Sequence, residues 1–301
     1  GSQMEVFYTS LHVRYLQALG REATMPPNGY MGTYIQDLAR ELLADKGDSL
    51  ARLPEAESKA EAGRWGLDRV LGWLREDLEI LGVTFDVWFR EQTLYREGQY
   101  QRAMDILSRS GFTAEREGAL WFTSTALGED KDNVLVRASG APTYFASDVA
   151  YHYNKLLERG FDRVINIWGA AHQGHVPRMK AVVTALGADS NRLQIIITQM
   201  VTLKRGDEVV KVSKRTGELI TLRELVEEVG ADACRFFYLA RSADSQMDFD
   251  MELAKKQSAE NPVYYVQYAH ARIASILRLA EERRIDYSSG DVAMLKAEPE
   301  L

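Results

Sequence analysis

Apolar residues recur at helical spacing over 4–19 and again over 30–43, separated by the break Pro26-Pro27-Asn28-Gly29, and two helices joined by a turn are predicted. Residues 51–81 are rich in Ala, Glu, Arg and Leu and stop at Gly82, the pattern of a long charged helix. Val83-Thr-Phe-Asp-Val-Trp-Phe89 alternates apolar and polar positions and reads as a strand. Residues 95–109 read as a helix, and 120–123 and 133–137 as short strands of an inserted lobe. From Tyr144 onward the order is helix 148–159, strand 163–168, helix 176–186, strand 193–201. That alternation predicts an α/β fold, a parallel sheet covered by helices. Thr221-Leu-Arg-Glu224 is a capping box opening a helix that Gly230 closes. Another helix starts at Asp232, and 248–260 and 263–284 read as long helices with no strand between them, an all-α layer.

Composition narrows the class without deciding it. A chain of 301 residues, 46% apolar, can bury one large core or two smaller ones. The single cysteine, Cys234, excludes an internal disulfide and suits a reducing compartment. No apolar run reaches membrane-spanning length and no leader is visible at the start, so a cytoplasmic, non-membrane protein is expected. The net charge of -7 argues against a generally basic nucleic-acid binder. Any RNA contact must come from local patches such as Arg272, Arg278, Arg283 and Arg284.

Candidate chemistry gathers at three places. The apolar strand over 193–201 leads toward Lys211-Val212-Ser213-Lys214-Arg215-Thr216-Gly217. Two lysines flanking a serine on a loop kept pliable by Gly217 suit a triphosphate under attack, because ammonium groups can meet the charge that builds on departing pyrophosphate. Taken alone, the same residues also describe a solvated basic turn. Tyr144 and Asp148, four apart, share one helix face, and a carboxylate there can take a guanidinium through two parallel charge-assisted hydrogen bonds. Alternatively, Asp148 merely sits near a helix N-terminus. The strand over 164–168 ends in Gly169-Ala170-Ala171-His172-Gln173-Gly174-His175, where a parallel sheet places its ligands. His172 and His175 have no recognisable third metal ligand nearby, and no metal site is predicted. His12, His152 and His270 read as structural or surface residues.

The lysine–serine loop resembles the KMSKS motif of class I aminoacyl-tRNA synthetases, with Val212 for Met and Arg215 for the last Ser. Further blocks narrow the resemblance to the bacterial-type arginyl-tRNA synthetases: Phe85-Asp-Val-Trp-Phe-Arg-Glu91, Ala119-Leu-Trp-Phe-Thr-Ser-Thr125, Pro142-Thr-Tyr-Phe-Ala-Ser-Asp-Val-Ala-Tyr151, Gly230-Ala-Asp-Ala-Cys-Arg-Phe-Phe237 and Asn261-Pro-Val-Tyr-Tyr-Val-Gln-Tyr-Ala-His-Ala-Arg-Ile273. The resemblance implies a Rossmann-like catalytic domain over 1–235, incomplete at its N-terminus, with an insertion at about 46–140, and over 236–301 the start of a helical anticodon-binding domain. It implies ATP-dependent activation of arginine, with Mg2+ accompanying the ATP, and transfer to tRNA(Arg) by a monomeric ligase. Lys211, Ser213 and Lys214 would then be catalytic; Glu91, Tyr144, Asp148 and His175 would bind arginine; Gly169, His172, Val212 and Lys214 would bind ATP; and Arg272 and Arg278 would contact tRNA.

Two departures accompany the resemblance. His172-Gln-Gly-His175 has the letters of the other class I motif, but it aligns with a later family segment, Gly-Ala-Asp-His-x-Gly-Tyr, in which Ala171 replaces Asp and His175 replaces Tyr. The family's own His-x-Gly-His segment would lie before Gly1, and the chain reads as a fragment, inactive by itself. A non-catalytic, synthetase-like tRNA binder is the alternative.

Overall fold

The computed structural model describes residues 2–210 and 220–291. Three helices open the chain: α1 (Ser2–Ala18), α2 (Thr33–Lys46) and α3 (Glu55–Ile80). Their apolar stripes meet at Leu11, Tyr15, Ile35, Leu38, Ala39, Leu42 and Ala62, all essentially without solvent exposure. Two polar groups buried in this trio are paired: Tyr15 Oη donates to the Gly47 carbonyl at 2.7 Å, and His12 Nε2 lies 2.9 Å from Ser58 Oγ. Burial holds the His12 pKa below its ordinary value, with Glu55 pulling the other way. Gly63 and Gly66 let α3 lie directly on α1, since a Cβ at Gly63 would stand 2.1 Å from the Tyr8 ring and one at Gly66 2.2 Å from Leu11 Cδ2.

Next come α4 (Gln92–Arg96), α5 (Gln99–Arg109) and three antiparallel strands, β1 (Thr113–Arg116), β2 (Ala119–Phe122) and β3 (Asn133–Val136), in the order β1–β2–β3. Helix α6 (Tyr144–Tyr153) follows and continues into a single π turn over Asn154–Glu158. The parallel pair predicted from the alternation is present: β4 (Val164–Gly169) and β5 (Leu193–Thr198) run in register from Val164 opposite Leu193 to Gly169 opposite Thr198, connected through a 3₁₀ turn over Ala170–His175 and α7 (Val176–Ala185). One apolar core joins α4 to β5, with Leu94, Leu107, Phe122, Leu135, Val149, Leu156, Val182 and Leu193 at its centre. The remainder is β6 (Val201–Arg205), β7 (Glu208–Val209), α8 (Leu222–Val229), α9 (Ala231–Leu239), β8 (Met247–Asp250), α10 (Met251–Lys255) and α11 (Pro262–Glu282), with sheet order β7–β6–β8. The chain divides into two compact units, Gly1–Thr84 with Leu203–Ala240 and Phe249–Leu301, and Phe85–Thr202 with Arg241–Asp248. No described helix is long and apolar enough to cross a membrane.

Two sequence expectations fail. Residues 83–89 are extended but form no strand; no ladder partner stands beside them among the described residues, and Phe85 and Val87 are exposed while Phe89 stacks on Tyr151. The long helix expected over 248–260 is a strand followed by the short α10. Asp250 is the reason for that switch: its carboxylate caps α10 by accepting from the Glu252 and Leu253 amides at 2.9 and 3.3 Å, and it also accepts from Gly206 N at 3.1 Å. The Thr221 capping box is present in full, with Thr221 and Glu224 satisfying each other's backbone amides.

The α1–α3 contact gives a paired prediction. Gly63→Ala should lower the unfolding free energy by about 1–3 kcal/mol through overpacking against Tyr8. Gly72→Ala, in the same helix with nothing within 4 Å of its Cβ, should leave stability unchanged or raise it by about 0.5 kcal/mol. Urea denaturation followed by circular dichroism reads both, and equal stability of the two variants would contradict the packing.

Candidate functional site

A cavity of about 210 Å³ is lined by Phe89, Glu91, Leu94, Tyr144, Ser147, Asp148 and Tyr151. Its floor is positioned by local structure. Thr143 caps α6 by accepting from Ala146 N, and its hydroxyl reaches back to the carbonyls of Val134 and Leu135 at 2.8 and 3.1 Å. These bonds fix the start of α6 to β3. Tyr144, 70% exposed, then stands at the cavity rim and Asp148 one turn further along. On the opposite side Glu91 occupies the N-terminal position of α4, whose Leu94 is anchored in the core. Phe89 and Tyr151 stack at 4.6 Å and 18°, and the Tyr95 hydroxyl lies 2.6 Å from Ser147 Oγ.

The cavity is anionic. Asp148 is open to solvent on the cavity side, but the protein around it raises its pKa, the nearby Glu91 charge raises it further, and Lys155 and His172 pull it back down. Two carboxylates facing one apolar-walled space make a site for a ligand cation.

Below the cavity a buried polar chain supports α6. His152 Nδ1 lies 2.7 Å from the Asp148 carbonyl oxygen, and since that oxygen only accepts, Nδ1 carries the hydrogen. Nε2 is therefore the acceptor, at 2.8 Å from Asn166 Nδ2. The Asn166 Oδ1 in turn accepts from Lys155 Nζ at 2.7 Å. Burial, followed by the Lys155 charge, pushes His152 down to about 3 despite the opposing hydrogen bond to Asp148.

Other expected residues fall elsewhere. His172 and His175 lie in the exposed 3₁₀ turn after β4, their rings edge to face at 5.6 Å, with Gly169 just before them and Trp168 6.2 Å from His172. His175 does not line the cavity. Burial and the charge of Arg178 lower its pKa. No group of three or more His, Cys, Asp or Glu side chains converges for a metal among the described residues. Lys211, Val212, Ser213 and Lys214 lie outside the described residues. Arg272 and Arg278 are exposed on α11, where Arg272 donates to Tyr268 Oη and Arg278 to Ser275 Oγ; six positions apart on a helix, they point about 120° from one another. Sequence reasoning missed Lys155, Asn166 and the role of His152. The signal available was the spacing 148, 152, 155, one helix face.

The family model for the catalytic domain of class I tRNA synthetases (R) matches residues 41–275. The chain belongs to the class I arginyl-tRNA synthetase family. Arginine–tRNA ligases from Dehalococcoides mccartyi and from Caldanaerobacter subterraneus subsp. tengcongensis are 61% and 50% identical to it, each aligned with the whole of this chain and 54% of its own length. The chain thus spans about half the length of these curated relatives. An arginyl-tRNA synthetase crystal structure from Campylobacter jejuni superposes with a TM-score of 0.84 at 34% identity, covering 93% of this chain and 61% of that one. The Thermus thermophilus arginyl-tRNA synthetase shares the fold, with a TM-score of 0.63 at 20% identity over 90% of this chain and 56% of that one. The α/β architecture with its parallel pair is that of the class I arginyl-tRNA synthetases.

The hydrogen-bond chain makes a prediction about one proton. In ¹⁵N-resolved NMR, His152 should stay neutral, with hydrogen on Nδ1, from pH 8 to about pH 5. An imidazolium at pH 6 would contradict the assigned chain.

Proposed function

We propose that the full-length protein is an arginine–tRNA ligase, activating arginine with ATP and transferring it to the terminal ribose of tRNA(Arg). The observation that carries this reading is Glu91 and Asp148 facing one aromatic-walled cavity, in a chain of this family. The surrounding protein and the Glu91 charge both disfavour a charged Asp148, although its side chain reaches solvent, and the charge of a ligand cation offsets both. A guanidinium does so with two parallel hydrogen bonds to one carboxylate, a geometry that an ammonium cannot reproduce. Glu91 then faces the second positive group of the ligand, and Tyr144 closes the rim, whereas His175, which does not line the cavity, has no part in it.

In the first step an oxygen of arginine's carboxylate attacks the α-phosphorus of ATP; the bond to the β-phosphate breaks and pyrophosphate leaves. In the second, the terminal ribose hydroxyl attacks the arginyl carbonyl and AMP departs. The carboxylate is already a competent nucleophile, so catalysis is positioning and charge stabilisation. Lys211 and Lys214 answer the charge on pyrophosphate, Ser213 shapes their loop, and Val212, Gly169 and His172 border the nucleotide, which brings Mg2+ with it. Residues 1–235 serve as the catalytic domain, interrupted by an insertion at about 46–140, and the helices from 236 onward begin a tRNA-contacting layer to which Arg272 and Arg278 belong. A cytoplasmic monomer is the setting consistent with this role.

In the full-length protein, arginine should drive tRNA-stimulated exchange of pyrophosphate into ATP. Asp148→Ala and Lys214→Ala should each reduce it by at least about 100-fold. A folded protein that binds tRNA(Arg) without supporting exchange would reject the ligase reading.

A further inference from the structure

The chain behind the cavity ends on a cation that the ligase chemistry leaves unused. Lys155 is the second residue of the π turn that extends α6, half-buried, with its ammonium 4.4 Å from the centre of the Tyr151 ring and 2.7 Å from Asn166 Oδ1. Two routes lead from this ammonium to the two carboxylate walls. One runs through Asn166 and His152 to the backbone of Asp148. The other runs through the face of Tyr151 to Phe89, two residues before Glu91.

We propose that Lys155 is a positioning residue of the guanidinium subsite, holding both walls of the cavity from behind and answering the Asp148 charge until a ligand cation does. The inference rests on the arginine reading of the cavity and deepens it.

The electrostatics agree with this geometry. Burial brings Lys155 down to about 8, Asp148 supports its charged form, and Arg159 at the end of the π turn opposes it. The same ammonium, with His172 beyond β4, holds the Asp148 pKa down against burial and Glu91. His152 between them is neutral, and Asn166 on β4 and Tyr151 present hydrogen-bonding and π partners rather than charge. When a guanidinium pairs with Asp148, the carboxylate no longer supports Lys155. The ammonium then releases its proton to solvent more readily, so arginine binding near pH 8 is linked to proton release.

Calorimetric titration of the full-length protein with arginine, in two buffers of different ionisation enthalpy near pH 8, reads that proton directly. Wild type should release up to about half a proton per arginine bound. Lys155→Met should lose that release near pH 8, and its arginine KM should climb more steeply than that of wild type as pH falls, because Asp148 has lost the charge that keeps it ionised. Lys155→Arg should restore the wild-type KM profile and still release none, since a guanidinium keeps its proton. Wild-type binding without proton release, or a Lys155→Met profile superimposable on wild type, would overturn the proposal. Absence of arginine binding by wild type would instead remove the arginine reading on which it rests.

Discussion

Two carboxylates facing one apolar-walled cavity form a constraint that the surrounding structure must satisfy. Glu91 and Asp148 repel each other, and the protein packed around Asp148 penalises its charged form although the side chain reaches solvent. A fold that lacked compensation would let the carboxylate protonate or the walls move apart. The compensation is visible in the elements behind the cavity. Thr143 ties the start of α6 to β3, His152 holds the Asp148 carbonyl from one turn below, and Lys155 supplies positive charge from the π turn. Asn166 joins the last two to the parallel pair. Sheet, helix and aromatic wall are thereby fixed to one another before any ligand arrives, which is the preorganisation that selective binding of a planar cation requires.

The charges divide the proposed chemistry between two places. In the proposed function the anionic cavity takes the cationic end of an amino acid, and Lys211 and Lys214, which lie outside the described residues, answer phosphate charge. The overall charge of -7 leaves room for local cationic clusters along the sequence, Lys211, Lys214 and Arg215 in one and Arg278, Arg283 and Arg284 in another. Exposed apolar residues along α11, among them Tyr265, Ile273 and Ile276, sit beside Arg272 and Arg278, so that helix combines cationic and stacking groups on its surface.

Much of this was legible in the sequence because it is local. The alternation after Tyr144 marks the parallel pair, Thr221 and Glu224 declare their capping box three residues apart, and Tyr144 and Asp148 share a helix face by spacing alone. What the sequence did not disclose depends on partners distant along the chain. Residues 83–89 have strand-like alternation, but a strand needs a neighbour to pair with, and pairing is not written in the segment itself. Asp250 looks like an interior residue of a charged helix, yet it caps one after accepting from Gly206, 44 positions earlier. Lys155 shares a helix face with Asp148 and His152 by spacing, but its meaning comes from Asn166, 11 residues later and on another element.

The central claim is that Asp148 recognises a guanidinium and not merely an amino acid of the right length. Equilibrium binding of arginine and of its neutral isostere citrulline, to the full-length protein and to Asp148→Asn, forms a thermodynamic cycle that isolates that contact. The account predicts a strong wild-type preference for arginine that collapses in Asp148→Asn, with citrulline binding little changed. Equal weakening of both ligands, with the preference intact, would contradict it.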